Sequence, residues 1–248
     1  MWVLLLLGLI YAGFCAYLYV AQRSFIYFPV PETPNGVAND LRLDVRGATL
    51  QIWQLQAEKQ EALIYFGGNA EDVSQNIQQF VGLFPEKAIY LVNYRGYGAS
   101  TGIPTEAALI EDARIIFDHV SQSHTGISIV GRSLGSGVAM ALAAEKIPER
   151  LVLITPFDSM VRLAQSSFPI FPVSFLLKDR YDSLSYAGSI SMPTLLLIAE
   201  RDEFIPIQHS KNLAAAIEPS TVTVIEDATH NTIQDYDRYA HSLGGFLQ

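Results

Sequence analysis

The segment 127–146, ISIVGRSLGSGVAMALAAEK, indicates the fold more clearly than any other part of this 248-residue chain. Residues 127–130 are typical of a short buried strand, and residues 134–146 are rich in Ala, Leu and Met, as a buried helix is. Between them stands Gly131-Arg132-Ser133-Leu134-Gly135, a Gly-x-Ser-x-Gly pattern. A serine on a sharp strand-to-helix turn exposes its Oγ, and the following helix points its positive N-terminus at a developing oxyanion. The segment therefore predicts that Ser133 is a nucleophile, with a plain small residue at a tight turn as the alternative.

The chain beyond residue 40 alternates between strand-like and helix-like segments. Strands are predicted at 41–45, 49–55, 62–66, 88–93, 127–130, 151–154, 194–199 and 221–225, and helices at 105–120, 134–146, 209–217 and 233–247. Because continuous apolar strands alternate with helices, the expected fold class is α/β, with a mostly parallel central sheet flanked by helices. Ligands of such sheets bind beyond the carboxyl ends of the strands, so a catalytic residue is expected directly after a strand.

An apolar run at residues 2–21 contains no charged side chain, and the first charge is that of Arg23. About 20 apolar residues can cross a hydrocarbon core roughly 30 Å thick. We therefore predict a single-pass transmembrane anchor at 1–22, a linker at 23–39 and an α/β domain at 40–248, with a short Pro-broken cap at about 159–191. A cleavable signal peptide is the alternative, but no Lys or Arg precedes the run. Arg23 favours the cytoplasmic side for the domain, although one charge leaves the side open.

Composition argues against several classes of partner. The net charge is −9 and no Lys/Arg-rich run occurs, whereas a nucleic-acid partner requires a basic face. The single cysteine, Cys15, lies in the apolar run, so the domain needs no disulfide. The five histidines lack metal-ligand spacing, and no Gly-rich phosphate loop is present. We therefore expect neither a metal ion nor an organic cofactor.

A second Gly-x-Ser-x-Gly pattern, Gly98-Ala99-Ser100-Thr101-Gly102, competes with the first. The strand before it ends near Asn93, and a loop of Gly and Tyr residues intervenes. The pair Ile103-Pro104 follows, and a residue before proline avoids the helical region, so no helix begins directly after Ser100. Ser100 is therefore predicted to be a loop residue.

A serine nucleophile requires a base, and the base requires a third group that orients it. His230 follows the last predicted strand in a loop, at a strand's carboxyl end and after the serine in the chain. Two carboxylates also follow strands, Asp202 and Asp158. Asp202 is preferred because it yields the order Ser, Asp, His; Asp158 is the second candidate, with a turn residue that caps loop backbone as its other interpretation. Glu200 and Glu203 are interpreted as solvated loop charges.

Two backbone N–H groups are needed where an oxyanion forms. One is expected from Leu134, directly after the nucleophile. The other is expected from Gly67-Gly68-Asn69-Ala70, the loop after the predicted strand 62–66. Two glycines let this backbone approach the substrate closely, and we predict the N–H of Asn69 as the second donor, with a plain Gly-Gly turn as the alternative.

These motifs together, in this order, resemble the small membrane-anchored members of the α/β-hydrolase superfamily, the serine-aminopeptidase-like group whose relatives include protein depalmitoylases. The resemblance is carried by QRSFIYFP (22–29), YFGGNA (65–70), NYRGYG (93–98), GRSLGSG (131–137), DRYDS (179–183), Asp202 with Ile205-Pro206, and His230. It spans nearly the whole chain; at Gly67 many relatives have His instead.

The resemblance implies a serine hydrolase that cleaves an ester, thioester or amide through an acyl-enzyme, without choosing among these bonds. The expected partner is a small-molecule or lipidated acyl substrate, brought within reach by an anchor that holds the site near a bilayer. Apolar residues of the cap either line an acyl pocket or pack onto the sheet. A non-catalytic, membrane-tethered binding protein on the same fold is the competing class, because a fold alone does not establish activity.

Overall fold

The computed structural model describes residues 1–33, 36 and 39–248. In this part of the chain the strands are β1 (Asn39–Val45), β2 (Ala48–Leu55), β3 (Glu61–Phe66), β4 (Lys87–Val92), β5 (Gly126–Arg132), β6 (Arg150–Ile154), β7 (Thr194–Ala199) and β8 (Ser220–Ile225). They form one sheet in the order β1-β2-β4-β3-β5-β6-β7-β8. The β1–β2 and β2–β4 pairs are antiparallel, and every pair from β4 to β8 is parallel. The predicted α/β class with a mostly parallel sheet is confirmed.

Helices cover both faces of this sheet. The helices of the described residues are α1 (Trp2–Ala21), α2 (Arg23–Ile26), α3 (Ile77–Leu83), α4 (Glu106–Val120), α5 (Leu134–Lys146), α6 (Met160–Ser167), α7 (Val173–Leu176), α8 (Ser183–Ala187), α9 (Ile207–Ala216) and α10 (Asp237–Leu247), with short 3-10 turns at Val73–Asn76 and Ile233–Asp235. On one face α4, α5 and α9 pack against side chains such as Ile64 and Phe66; on the other α3 and α10 pack against Leu63 and Tyr65. Successive residues of β3 therefore point into two apolar cores, which explains its unbroken apolar sequence.

Two helical regions differ from the sequence prediction. The closing helix was expected at 233–247, but Ile233–Asp235 forms a 3-10 turn and Tyr236 is extended, so α10 begins only at Asp237. No helix was expected between residues 70 and 87, where α3 lies. The signal was present, because the buried residues Val73, Ile77, Phe80 and Phe84 recur at helical spacing.

The α1 helix is long and apolar enough to span a membrane, with a mean hydropathy of 2.2, a test that a signal sequence also meets. Its side chains are mostly exposed, and its last turns contact the region around α7. The predicted cap range, 159–191, contains α6, α7 and α8. Of these, α8 contacts α5 and α9, whereas α7 contacts α6 and α1. The boundaries of anchor, linker, domain and cap stay predictions.

Candidate active site

The turn that carries Ser133 is strained and tightly held. β5 ends at Arg132 and α5 begins at Leu134, so Ser133 makes the turn, with φ of 49° and ψ of −114°. A positive φ at a residue other than glycine costs on the order of 1–3 kcal/mol. The N–H of Ser133 donates to the carbonyl oxygen of Ile154 at the end of β6 (2.9 Å). This bond fixes the turn to the neighbouring strand, with Ser133 beyond the carboxyl end of β5.

Glycines at positions 131 and 135 let α5 approach the sheet. A Cβ placed on Gly135 would lie 2.0 Å from the carbonyl oxygen of Phe66, at the end of β3. A Cβ on Gly131 would lie 2.4 Å from the carbonyl oxygen of Gly135. Since both obstructing atoms belong to the backbone, no side-chain movement could accommodate a larger residue. The N-terminus of α5 therefore lies directly against the carboxyl ends of β3 and β5.

The structure brings the three side chains predicted as the catalytic triad, Ser133, His230 and Asp202, into one line of hydrogen bonds. The Nε2 of His230 lies 3.0 Å from the Oγ of Ser133, and its Nδ1 lies 2.7 Å from the Oδ2 of Asp202. The Oδ1 of Asp202 accepts from the backbone N–H groups of Phe204 (3.0 Å) and Ile205 (2.7 Å). Both side chains are nearly buried, with 10% of His230 and 3% of Asp202 exposed. An ionised Asp202 requires Nδ1 to carry the proton, so Nε2 is free to accept from the serine hydroxyl.

Two glutamates hold the loop that carries His230. The carboxylate of Glu203 accepts from the backbone N–H of His230 (3.1 Å), and that of Glu200 accepts from the N–H of Asp227 (2.9 Å). Both glutamates are exposed loop residues, as interpreted from the sequence. Each also binds backbone of the loop after β8, a contact that the sequence did not indicate. The exposed ring of Phe204 also packs edge-on against His230, with 5.4 Å between centroids. Sequence reasoning missed Phe204.

Ser100 lies in the loop after β4, as predicted from its context. It is buried, its hydroxyl donates to the carbonyl oxygen of Asn93 (2.8 Å), and its Oγ accepts from the backbone N–H of Gln51 (2.8 Å). Both hydrogen bonds tie the loop to the edge of the sheet. The second Gly-x-Ser-x-Gly copy thus has a stabilising role that its pattern alone did not indicate.

Asp158 is fully buried and pairs with a different histidine. Its Oδ1 lies 2.7 Å from the Nδ1 of His209, and its Oδ2 accepts from the side-chain amide of Asn212 (3.1 Å). Its expected alternative role, capping loop backbone, is therefore wrong, because the carboxylate binds two side chains of α9. The structure places Asp202, and not Asp158, against His230.

The two predicted oxyanion donors belong to segments that border the nucleophile. Leu134 begins α5, and a Cβ on Gly68 would lie 3.6 Å from the Cβ of Ser133, so the loop after β3 borders the serine. The N–H of Gly68 donates to Glu71 (2.5 Å), whereas the N–H of Asn69 has no acceptor among the residues that the structure describes. The side-chain Oδ1 of Asn69 accepts from the backbone N–H of Phe28 (2.9 Å) in the linker.

Tyr97 gives the Asn69 side chain a second fixed partner. Its hydroxyl donates to the Oδ1 of Asn69 (2.7 Å) and accepts from the N–H of Phe28 (3.0 Å). Burial raises the pKa of Tyr97 to about 12, so the phenol stays neutral and keeps its proton at ordinary pH. The loop after β3 is therefore held in one conformation by the linker and by the β4 loop.

A partly buried ion pair connects this loop to the nucleophile turn. The Oε2 of Glu71, which holds the N–H of Gly68, lies 3.6 Å from the guanidinium of Arg132, and that guanidinium donates to the carbonyl oxygen of His230 (3.2 Å). Burial alone would lower the pKa of Arg132, but charged partners led by Glu71 outweigh it and raise the pKa. Tyr65 donates to the Oε1 of Glu71 (2.7 Å). Sequence reasoning missed Glu71, because its contact with the distant residue Arg132 forms only in the fold.

Other titratable clusters do not extend the site. His124 precedes β5. Its Nε2 forms a hydrogen bond with the hydroxyl of Tyr90 (2.7 Å), and its Nδ1 forms one with the carbonyl oxygen of Lys59 (2.9 Å). Over residues 1–33, 36 and 39–248, no three His, Cys, Asp or Glu side chains are arranged to hold a metal ion. The site geometry itself is suited to nucleophilic acyl transfer: a hydroxyl, a base with an oriented tautomer, and backbone donors beside the hydroxyl.

Comparison with curated proteins finds relatives along most of the chain. An uncharacterized protein of Mycobacterium tuberculosis is 31% identical over 245 residues, which cover 92% of this chain and 87% of that protein. The Arabidopsis thaliana α/β hydrolase domain-containing protein WAV2 is 27% identical over 246 residues, covering 84% of this chain and 79% of its own length. Human α/β hydrolase domain-containing protein 17B is 28% identical over 192 residues, which cover 75% of this chain and 65% of the human protein. No family model matches the chain.

Solved structures with the same fold include several enzymes. The Pyrococcus furiosus esterase Pf2001 superposes with a TM-score of 0.71 at 19% identity, covering 89% of this chain and 97% of the esterase. The enol-lactonase of Burkholderia xenovorans superposes with a TM-score of 0.66 at 18% identity, covering 84% of this chain and 99% of the lactonase. At such low identity these similarities concern the fold.

Proposed function

Because the chain belongs to the α/β-hydrolase superfamily, we propose that it is a serine hydrolase that cleaves an ester, thioester or amide bond through an acyl-enzyme on Ser133. The observation that carries the proposal is the line of hydrogen bonds from the Oγ of Ser133 through His230 to Asp202. The strained turn at Ser133 costs conformational free energy. A nucleophilic role explains this strain, because the turn presents the serine hydroxyl to the oriented imidazole of His230.

In the proposed acylation step, the Oγ of Ser133 attacks the substrate carbonyl carbon while the Nε2 of His230 takes the hydroxyl proton. Asp202 stabilises the imidazolium that forms and stays ionised. The tetrahedral oxygen is held by the N–H groups of Leu134 and Asn69. The Nε2 of His230 then gives its proton to the leaving alcohol, thiol or amine as the bond to the carbonyl carbon breaks.

Deacylation repeats the sequence with water as the nucleophile. The Nε2 of His230 takes a proton from water, the hydroxyl oxygen attacks the acyl carbon, and the proton returns to the Oγ of Ser133 as the acid leaves. Every proton moves through His230, so the steps need no group beyond the residues of this chain and water. A metal ion and an organic cofactor therefore have no part in the proposed mechanism.

The proposal places the enzyme at a membrane. The α1 helix is long and apolar enough to act as a single-pass anchor, and the side of the bilayer on which the domain lies stays open. The linker that leaves this helix binds Asn69 beside the nucleophile, so the site stays close to the anchor. Substrates with acyl chains or lipid groups at the bilayer are within its reach, and they are the proposed substrate class.

A fluorophosphonate probe tests the proposal on the wild-type protein. The activated serine is expected to be labelled, and peptide mass spectrometry is expected to locate the label on Ser133 and not on Ser100. Heat-denatured protein is the control, because labelling requires the folded site. Absence of labelling in folded protein would favour the alternative, a membrane-tethered binding protein that keeps the fold.

Replacing Glu71 by glutamine is expected to lower kcat by about 10- to 100-fold with little change in KM. The substitution removes the charge that faces Arg132, and small displacements of the backbone beside the reacting atoms carry costs of this size. Steady-state kinetics on a p-nitrophenyl ester measure both constants. Tyr65→Phe is the matched control, since it removes one partner of Glu71 but leaves its contacts with Gly68 and Arg132, and it is expected to retain near wild-type kcat. An unchanged kcat in Glu71→Gln would contradict the positioning role.

A further inference from the structure

The cap contains an apolar segment in which several side chains face solvent. The apolar cap segment, residues 168–177, has the sequence FPIFPVSFLL and carries no charge. Three of its side chains are among the more exposed large apolar residues of the chain: Phe168 at 56%, Ile170 at 72% and Phe175 at 86%. Clustered exposed apolar side chains of this kind usually mark a surface that contacts a protein or a membrane.

This segment packs against the middle of α1. The ring of Tyr11 stacks on that of Phe171, with 5.7 Å between centroids and 3° between planes, and the Tyr11 hydroxyl donates to the carbonyl oxygen of Ile170 (2.8 Å). One turn and two turns further along the same helix face, Cys15 and Leu18 are half-buried. The C-terminal half of α1 therefore lies along the cap, whereas residues 2–10 are exposed on all sides.

The position of Tyr11 sets a depth. Tyr11 lies ten residues before Ala21, the end of α1, which corresponds to about 15 Å at 1.5 Å per residue. A hydrocarbon core is roughly 30 Å thick, so a helix that spans it carries Tyr11 near the midplane. A segment that touches Tyr11 from the side of the domain must then lie within the leaflet nearest the domain.

Most backbone carbonyl oxygens of the segment are hydrogen-bonded within the protein, as a hydrocarbon environment requires. Each carbonyl oxygen from Phe168 to Ser174 accepts a hydrogen bond from protein. Gln165 supplies an unusual share of these, since its side-chain amide lies within hydrogen-bond distance of the carbonyl oxygens of Phe168, Pro169 and Phe171. Pro169 and Pro172 have no N–H to satisfy. Backbone that enters hydrocarbon must have its polar groups paired internally, and residues 168–174 meet that condition at their carbonyl oxygens.

Polar and aromatic groups mark the level at which the segment would leave the bilayer. The ammonium of Lys178 lies 3.9 Å from the centroid of the Tyr19 ring. Arg23 forms an ion pair with Asp179 (2.9 Å), directly after the segment in the chain. Tyrosines and basic side chains are typical of the membrane–water interface. The end of α1 and the end of the segment therefore share one interfacial level.

We propose that the apolar cap segment inserts into the leaflet nearest the domain, beside the C-terminal half of α1, with the hydrocarbon of the bilayer as the occupant of its exposed face. The inference rests on the anchor in the proposed function. The protein then holds the membrane by two elements, a spanning helix and a half-depth loop, and the cap of the hydrolase domain lies among the lipid acyl chains.

Environment-sensitive labelling of the full-length protein in phosphatidylcholine vesicles tests the insertion. In a Cys15→Ser background, an NBD fluorophore is attached to Phe175→Cys, or separately to Ile170→Cys. A fluorophore at Phe14→Cys reports the environment of α1. The matched control in the domain is Ile147→Cys, an exposed apolar position at the C-terminal end of α5. Quenching is measured with doxyl-labelled lipids and with aqueous iodide, and fluorophosphonate labelling of each variant confirms that it is folded.

The positions 170 and 175 are expected to resemble position 14, with blue-shifted emission, quenching by doxyl lipids and several-fold weaker quenching by iodide than position 147. Iodide quenching at 170 and 175 equal to that at 147, with position 14 in lipid, would overturn the insertion and leave the anchor in place. Water exposure at position 14 as well would overturn both. Lipid quenching at 175, together with absence of fluorophosphonate labelling at Ser133 in the wild-type protein, would support the insertion while the hydrolase proposal fails. Folding of the labelled variants is then judged by circular dichroism.

Discussion

Replacing Ser133 by alanine is expected to lower kcat for ester hydrolysis by on the order of 10⁶-fold, because the variant lacks the atom that attacks the carbonyl. The remaining rate would come from the backbone donors and the binding of substrate, which the substitution leaves in place. The comparison uses wild-type and variant protein on a p-nitrophenyl ester, with single-turnover kinetics for the variant. Fluorophosphonate labelling is expected to disappear in parallel.

Ser100→Ala is the control for this prediction, since Ser100 occupies the other copy of the same sequence pattern. Its loss leaves the backbone N–H of Gln51 without an acceptor, so the expected effect is a lower free energy of unfolding, by about 1–3 kcal/mol. The folded fraction should retain labelling and kcat. Loss of labelling in Ser100→Ala with retention in Ser133→Ala would contradict the assignment of the nucleophile.

Replacing Asp202 by asparagine is expected to lower kcat by about 10⁴-fold. The Oδ1 of Asp202 accepts from two backbone N–H groups, so the amide oxygen of asparagine is expected to take that place and its NH₂ group to face His230. The Nδ1 of His230 must then act as an acceptor, which moves the ring proton to Nε2. In that tautomer Nε2 cannot take the proton of Ser133. The pH dependence of kcat on an activated ester measures the loss.

Asp158→Asn distinguishes the two candidate acids. Asp158 is buried against His209 and Asn212, so its substitution is expected to lower the melting temperature by several degrees, as loss of a buried charged partner does, while kcat stays within about tenfold of wild type. The reverse pattern, a 10⁴-fold loss in Asp158→Asn and a small loss in Asp202→Asn, would transfer the role of the acid to Asp158.

Local patterns in the sequence were sufficient for much of the fold. The alternation of apolar strands and helices predicted the parallel sheet, because strands covered on both faces must be apolar at every position. The strand, glycines and helix around Ser133 predicted its turn, since each acts within a few residues. The rule that ligands bind at the carboxyl ends of strands then selected His230 without any knowledge of distance.

Only the tertiary structure decided the contacts between residues that are far apart in the chain. Asp202 and Asp158 both follow strands, and the sequence could not show that one faces His230 while the other faces His209 on α9. The contacts of Glu203 with His230 and of Glu71 with Arg132 likewise depend on loops that meet only when the sheet forms. The apolar run of α1 predicted a membrane helix, but the contact of Tyr11 with the cap joins residues 159 apart in the chain. Periodicity and turn chemistry act over one or two turns of chain, whereas these pairings are set by the packing of whole elements.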